Sequence, residues 1–155
     1  NLIAQAYRQL MADMSESSTS VLAYAPSDPH ARLAAFVAAS LRPPVVDSDA
    51  VVTWASFIQE TRRDPAMLDI HRQTYLGFRD QLQSLIADLP ALKGAQDPRR
   101  LAIACNAVID GLWMEGSLLP EAFGAGEVIE IALISAGAVL GVDLRAAHET
   151  DRNMR

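Results

Sequence analysis

The chain has 155 residues, enough for one domain with its own core; half are hydrophobic, 21% are charged, and the net charge is −6. That balance excludes a disordered chain, and it argues against these residues gripping a phosphate backbone, which needs a basic face. A single cysteine, Cys105, rules out an internal disulfide and fits a reducing, cytoplasmic setting. No signal peptide or membrane span is visible: the most apolar stretch, VIEIALISAGAVLGV, is short for a bilayer and carries Glu130.

In chain order, NLIAQAYRQLMADM reads as a helix already under way over about residues 2–15, so the chain is expected to begin mid-protein. The polar run SESSTS either extends that helix or frays it. Three Asp-Pro pairs follow, at Asp28-Pro29, Asp64-Pro65 and Asp97-Pro98. Each puts a carboxylate acceptor where the first helical N–H groups need one, and a proline where a missing N–H costs nothing. They predict helices over 29–41, 65–88 and 98–119, with another over 48–63 after the Pro43-Pro44 loop. A last helix over 127–140 ends at Gly141, and the polar residues beyond Leu144 are expected to be loose. No stretch alternates at period two, so the expectation is an all-α chain of about six helices.

The last two of these helices carry more apolar surface than one face requires. At ~100° per residue, Ala104, Val108, Gly111 and Glu115 share one side of the first, three of them small or medium, while Leu101, Ile103, Cys105 and Leu112 fill the flanks. In the second, Val128, Ile131, Ala132, Ser135 and Val139 form one stripe, and Ile129, Leu133, Ala136 and Leu140 another. One stripe packs on the chain's own core; the other is expected to meet a symmetric copy. A single large core that swallows both helices is the plainer alternative.

Within that apolar run sits a carboxylate, Asp110, beside Leu112 and Trp113 in NAVIDGLWMEGSLL. Asn106, Asp110, Trp113 and Ser117 follow i, i+4, i+7, i+11 and lie within an arc of about 60° on one strip of the helix. Upstream, Trp54, Phe57 and Ile58 share a face, and the long helix adds Tyr75 and Phe78, with His71 and Arg79 nearby. These residues form the candidate pocket: apolar and aromatic walls with a few aimed polar groups. The indoles of Trp54 and Trp113 offer faces to a cation and Asp110 a compensating charge. The bland alternative has the aromatics filling core and Asp110 bonded to an arginine or a backbone N–H.

Catalytic and metal chemistry have no constellation in this sequence, and no cofactor is expected. His30, His71 and His148 are scattered, with no recurring ligand spacing. There is no G-x-S-x-G elbow, phosphate-cradling glycine loop or Cys-x-x-Cys pair. Cys105 lies mid-helix, the setting of an inert thiol, and Arg62-Arg63 and Arg99-Arg100 sit at helix ends, where solvation explains them.

VIDGLW at 108–113, in a helix opened by DPRR, resembles the penultimate helix of TetR-family transcriptional regulators, in the branch of choline-responsive betaine-operon repressors (BetI type). WASFIQETRRDPAMLDIHRQTYLGFRDQL is similar to the preceding helix pair of that branch. The resemblance covers about residues 54–140, and 2–41 more loosely. It implies a TetR-type C-terminal helical bundle whose last two helices form an intersubunit four-helix bundle, with a ligand pocket among the middle helices. Residues 1–15 then match the helix that links to a DNA-reading helix-turn-helix absent from this chain; 16–144 form the ligand-binding and dimerisation domain, and 145–155 a polar tail. The partners implied are a second copy, a small effector, cationic in one branch, and operator DNA through the missing module. Two rivals stand beside this reading. One is a helical protein-interaction adaptor; the other is a small helical enzyme with Asp110 or Glu115 as base and His71 opposite.

Overall fold

Five aspartates decide where helices begin. Asp28, Asp47, Asp64, Asp97 and Asp143 each accept a backbone N–H two or three residues ahead, at 2.9–3.0 Å. Three of them precede a proline at the first helical position, as the Asp-Pro pairs predict. In the computed structural model, which describes residues 2–94 and 96–154, the elements are α1 (Leu2–Val21), α2 (Pro29–Ala39), α3 (Ser48–Glu60), α4 (Pro65–Ala87), α5 (Pro98–Leu118), α6 (Glu127–Leu140) and α7 (Leu144–Asn153). Short 3₁₀ turns lie at Pro90–Leu92 and Pro120–Ala122, and no strand occurs among the described residues.

Two differences from the sequence reading have local causes. The SESSTS run continues α1 instead of ending it: Ser15 and Ser20 bond to carbonyls four residues back, and Ser18 is buried against Ser40 at 3.1 Å. The tail expected to be loose is α7, a seventh helix. Asp143 caps it, Leu144 is fully buried, and Ala147 packs on the core where α7 meets α2 and α6. A single apolar stripe suffices to dock an otherwise polar helix.

Helix α2 is the centre of the packing. Leu33, Ala34, Phe36, Val37 and Ala38 are wholly buried, with α1, α4, α6 and α7 against them. A helix enclosed on all sides needs apolar residues all round, and PHARLAAFVAA supplies them. Helix α5 lies between α4 and α6, while α3, with only Val51 buried, leans on α5 from outside. A smaller cluster of Tyr7, Met11, Met67 and Ile70 holds α1 against α4.

The α6–α7 turn depends on the absence of a side chain at Gly137. A Cβ there would stand 2.5 Å from the Val142 carbonyl oxygen, well inside contact distance. Gly141 then reverses the chain at φ +69°, a left-handed conformation that glycine adopts without strain.

Candidate functional site

The helices form a partly open cavity of about 170 Å³ between α1, α3, α4 and α5. Its apolar wall comes from Met11 and Met14 of α1, Trp54 of α3, Phe78 of α4, and Ile109, Trp113 and Met114 of α5. Tyr75 and Asp110 form the polar part, with Ser15, Ser40 and Thr74, and Val45 closes it from the loop after α2.

Each aromatic group is fixed by something behind it. The Trp113 N–H donates to the Val45 carbonyl at 2.7 Å, and its ring meets Trp54 edge to face, centroids 5.5 Å apart and planes at 82°. Phe78 packs on the buried Phe36 at 5.0 Å. The carboxylate that stood out in the sequence has specific donors: the Tyr75 hydroxyl at 2.6 Å and Asn106 Nδ2 at 3.3 Å, both on Oδ2. Asn106 Nδ2 also donates to the Tyr75 oxygen at 2.7 Å, so all three groups form one network. Asn106 is itself 98% buried, and among the described residues its Oδ1 is the one buried side-chain polar atom without a bond. Turning the amide over would set that oxygen against the two oxygens it now donates to, so the orphan atom follows from serving Asp110 and Tyr75.

The charge state follows from burial and these bonds. Burial raises the Asp110 pKa above the ordinary carboxylate value, with the Tyr75 hydrogen bond and the nearby His71 pulling against it. Burial and the bond to Asp110 push Tyr75 up to about 12, so it stays a hydroxyl. Burial lowers the His71 pKa, partly offset by Asp110. The His71 ring stacks on Tyr75 at 5.4 Å, and its Nδ1 meets the Tyr7 hydroxyl of α1 at 2.7 Å. A continuous set of contacts thus runs from Asp110 on α5, through Tyr75 and His71 on α4, to Tyr7 on α1.

Of the nine pocket candidates, Trp54, Tyr75, Phe78, Asp110 and Trp113 line the cavity, and Asn106 stands directly behind it. Phe57, Ile58 and Ser117 do not line it. Phe57 packs on Tyr7 at 5.0 Å, Ile58 is half-buried elsewhere, and the Ser117 hydroxyl accepts the Asp47 N–H at 3.2 Å. Ser117 shares the right angle on α5 but lies about 10 Å further along its axis than Asp110. The α1 contribution was missed, although Tyr7, Met11 and Met14 stand at i, i+4, i+7 in the sequence. Of the residues weighed for acid–base roles, Asp110 lines the cavity, His71 is held by Tyr7 and does not line it, and Glu115 is exposed.

The interface candidates divide similarly. Gly111, Glu115 and Val139 are exposed, and Ala104, Val108, Val128, Ile131 and Ser135 are partly so. Ala132 is fully buried within its own chain, with Leu133 and Ala136, so it belongs to the inner face of α6. The outer faces carry apolar residues that were not assigned there, notably Ile134 at 50% exposure and Leu118 at 52%.

Residues 29–141 match the family model described as "BetI-type transcriptional repressor, C-terminal". The HTH-type transcriptional regulator BetI of Paraburkholderia phytofirmans is 28% identical over 131 residues, covering 84% of this chain and 66% of that protein. The protein of the same name from Paraburkholderia phymatum is also 28% identical, over 84% of this chain and 65% of its own length. The chain therefore spans slightly less than two thirds of these relatives. A crystal structure from Pseudomonas aeruginosa PAO1, 24% identical, superposes with a TM-score of 0.82 over 94% of this chain and 71% of that one, which bears on the fold alone. No helix among the described residues is long and apolar enough to cross a membrane.

Proposed function

The chain belongs to the TetR-type family of BetI-type transcriptional repressor C-terminal domains, and on that premise we propose that it is the effector-sensing and dimerisation part of a cytoplasmic repressor. One observation carries the reading: the cavity with its bonded carboxylate has α1 as one of its walls. A molecule entering it touches Met11, Met14 and Ser15 on α1 as well as Asp110 and Trp113 on α5. Its binding energy then depends on where α1 lies, which is what any ligand needs in order to shift an equilibrium between two states. A coupling of roughly 1–3 kcal/mol changes a linked affinity about 5- to 150-fold.

The linked affinity is for operator DNA, read by a helix-turn-helix part of the protein outside these residues; the relatives are named as regulators of that type. The effector is a small cation, held by the indole faces of Trp54 and Trp113 and neutralised by Asp110. Two copies associate through the outer faces of α5 and α6, where the small Ala107 and Gly111 let helices approach closely and Leu118, Ile134 and Val139 supply apolar area.

The test is a compound screen by indole fluorescence, followed by calorimetry on Met14→Trp, which fills the cavity from the α1 side. Hits that bind the native chain and weaken by about tenfold or more in the variant support the assignment. Hits that bind both proteins alike put the effector elsewhere and overturn it.

A further inference from the structure

The polar atoms around the cavity are unusually one-sided in what they offer a ligand. Besides Tyr75, three hydroxyls line it, and each donates to a carbonyl four residues back in the chain: Ser15 to Met11 at 3.0 Å, Ser40 to Phe36 at 2.8 Å, and Thr74 to Ile70 at 2.8 Å; the Ser40 oxygen is also taken up by Ser18 at 3.1 Å. The Tyr75 proton goes to Asp110 and the Trp113 N–H to Val45. What remains for an occupant is a set of acceptors, the lone pairs of hydroxyl oxygens and Asp110 Oδ1. Both protein donors to Asp110 lie on its other oxygen, leaving Oδ1 without a bond among the described residues. The indole N–H of Trp54 is the one wall donor with no bond among the described residues.

We infer that the effector of this cavity is a hydrogen-bond-donating ammonium, a protonated primary or secondary amine on a compact hydrocarbon body, in preference to a quaternary ammonium or a neutral or anionic molecule. The inference rests on the sensing role proposed above and specifies the ligand class. An ammonium N–H donates to Asp110 Oδ1 and to the Ser15 and Thr74 oxygens, which accept no bond among the described residues. A quaternary nitrogen keeps the charge attraction and leaves those acceptors facing methyl groups. An anion meets a carboxylate and no spare cation. A neutral acceptor has to pull a serine or threonine proton off its helix carbonyl, and finds a ready donor only in Trp54.

Size narrows the class further. An apolar cavity of about 150 Å³ takes one benzene molecule, so 170 Å³ seats a body of about that size within the walls. Met11, Met14 and Met114 give that body an adaptable wall, since unbranched thioether chains repack around different outlines.

The experiment titrates the chain by calorimetry with n-hexylammonium, the quaternary butyltrimethylammonium of matched size, neutral n-hexanol and hexanoate. The primary amine binds about tenfold or more tightly than each of the others, the loss expected when a charged hydrogen bond goes unmade. Asp110→Asn removes the advantage of the amine over hexanol. Thr74→Val keeps the side chain's shape and touches none of the Asp110–Tyr75–Asn106 bonds; it narrows the advantage of the amine over hexanol and keeps the test open should the Asp110 variant not fold. A quaternary, neutral or anionic probe that binds as well as the amine overturns the ligand class and leaves the sensing role standing. If none of the four binds, the class is again overturned; if the compound screen also finds no cavity ligand, the sensing role fails with it.

Discussion

Replacing Tyr75 by phenylalanine isolates the bond that the Asp110 network depends on. The substitution keeps the ring that stacks on His71 and deletes one oxygen. Asp110 Oδ2 loses its 2.6 Å donor and keeps only the 3.3 Å contact from Asn106, while Asn106 Nδ2 loses its 2.7 Å acceptor. A hydrogen bond to a charged group contributes about 1.5–3 kcal/mol, and Oδ1, not enclosed by protein donors, recovers part of the loss through water. The expected destabilisation is therefore about 2 kcal/mol at neutral pH, or roughly 4–8 °C in Tm for a domain of this size. Its pH dependence has a definite sign. Burial already raises the Asp110 pKa, and the Tyr75 bond is what opposes that rise, so the variant's carboxyl is raised further. A carboxyl with a raised folded pKa favours the folded state while protonated, and that advantage is lost as pH climbs through the folded value. The gap between native and variant is thus widest above the variant's Asp110 pKa and closes as pH falls toward the ordinary carboxylate range near about 4. Urea unfolding at fixed protein concentration, across a pH series, reads both. A gap below about 0.5 kcal/mol at neutral pH, or one that does not narrow on acidification, refutes the reasoning.

Three further outcomes follow from other parts of the fold. Gly137→Ala, whose new Cβ meets the Val142 oxygen at 2.5 Å, forces the α6–α7 turn to shift and costs about 1–3 kcal/mol by thermal unfolding; an unchanged Tm contradicts the close approach. Ile134→Lys, at a half-exposed position on α6, moves sedimentation equilibrium toward the monomer by about tenfold or more in Kd, and a dimer of undiminished strength excludes that face as the contact. Affinity for n-hexylammonium falls on acidification once Asp110 protonates, and because burial raises that pKa the fall begins above the ordinary carboxylate range. The groups facing Asp110 from α4 are His71, whose pKa burial lowers, and Tyr75, which at about 12 stays a hydroxyl throughout. Calorimetric titration from neutral pH down through the ordinary carboxylate range, about 4, reads it, and an affinity that stays flat throughout contradicts the role given to Asp110.

The helix starts were legible because an aspartate before a proline combines two independent local signals, and Asp28, Asp64 and Asp97 act as caps in the structure. The five cavity residues in the pocket set were legible because each is aromatic or charged within an apolar helix. The α1 wall was not, since methionines and serines at helical spacing look alike in a core, on a surface and around a ligand. Phe57 and Ser117 show the limit of angular arguments: position around a helix says which side a residue faces, and nothing of what stands opposite at that height. Ala132 shows another. In a helix as uniformly apolar as EVIEIALISAGAVL, no polar side marks the phase, so inner and outer stripes are exchangeable until the neighbours are known. The α7 helix was hidden by composition, its docking resting on Leu144 and Ala147 amid charged residues.

The enclosure of α2 also orders events during synthesis. Its cover includes both α1, made just before it, and α7, which ends the described chain. About 120 residues separate the two at the ribosome, roughly 6–25 s of elongation at typical rates. Through that interval Leu33, Phe36 and Val37 lack one of their covers, so the nascent polypeptide is sticky until α7 emerges. Early termination anywhere before Leu144 would leave a product for chaperones and proteases instead of a shortened but serviceable domain.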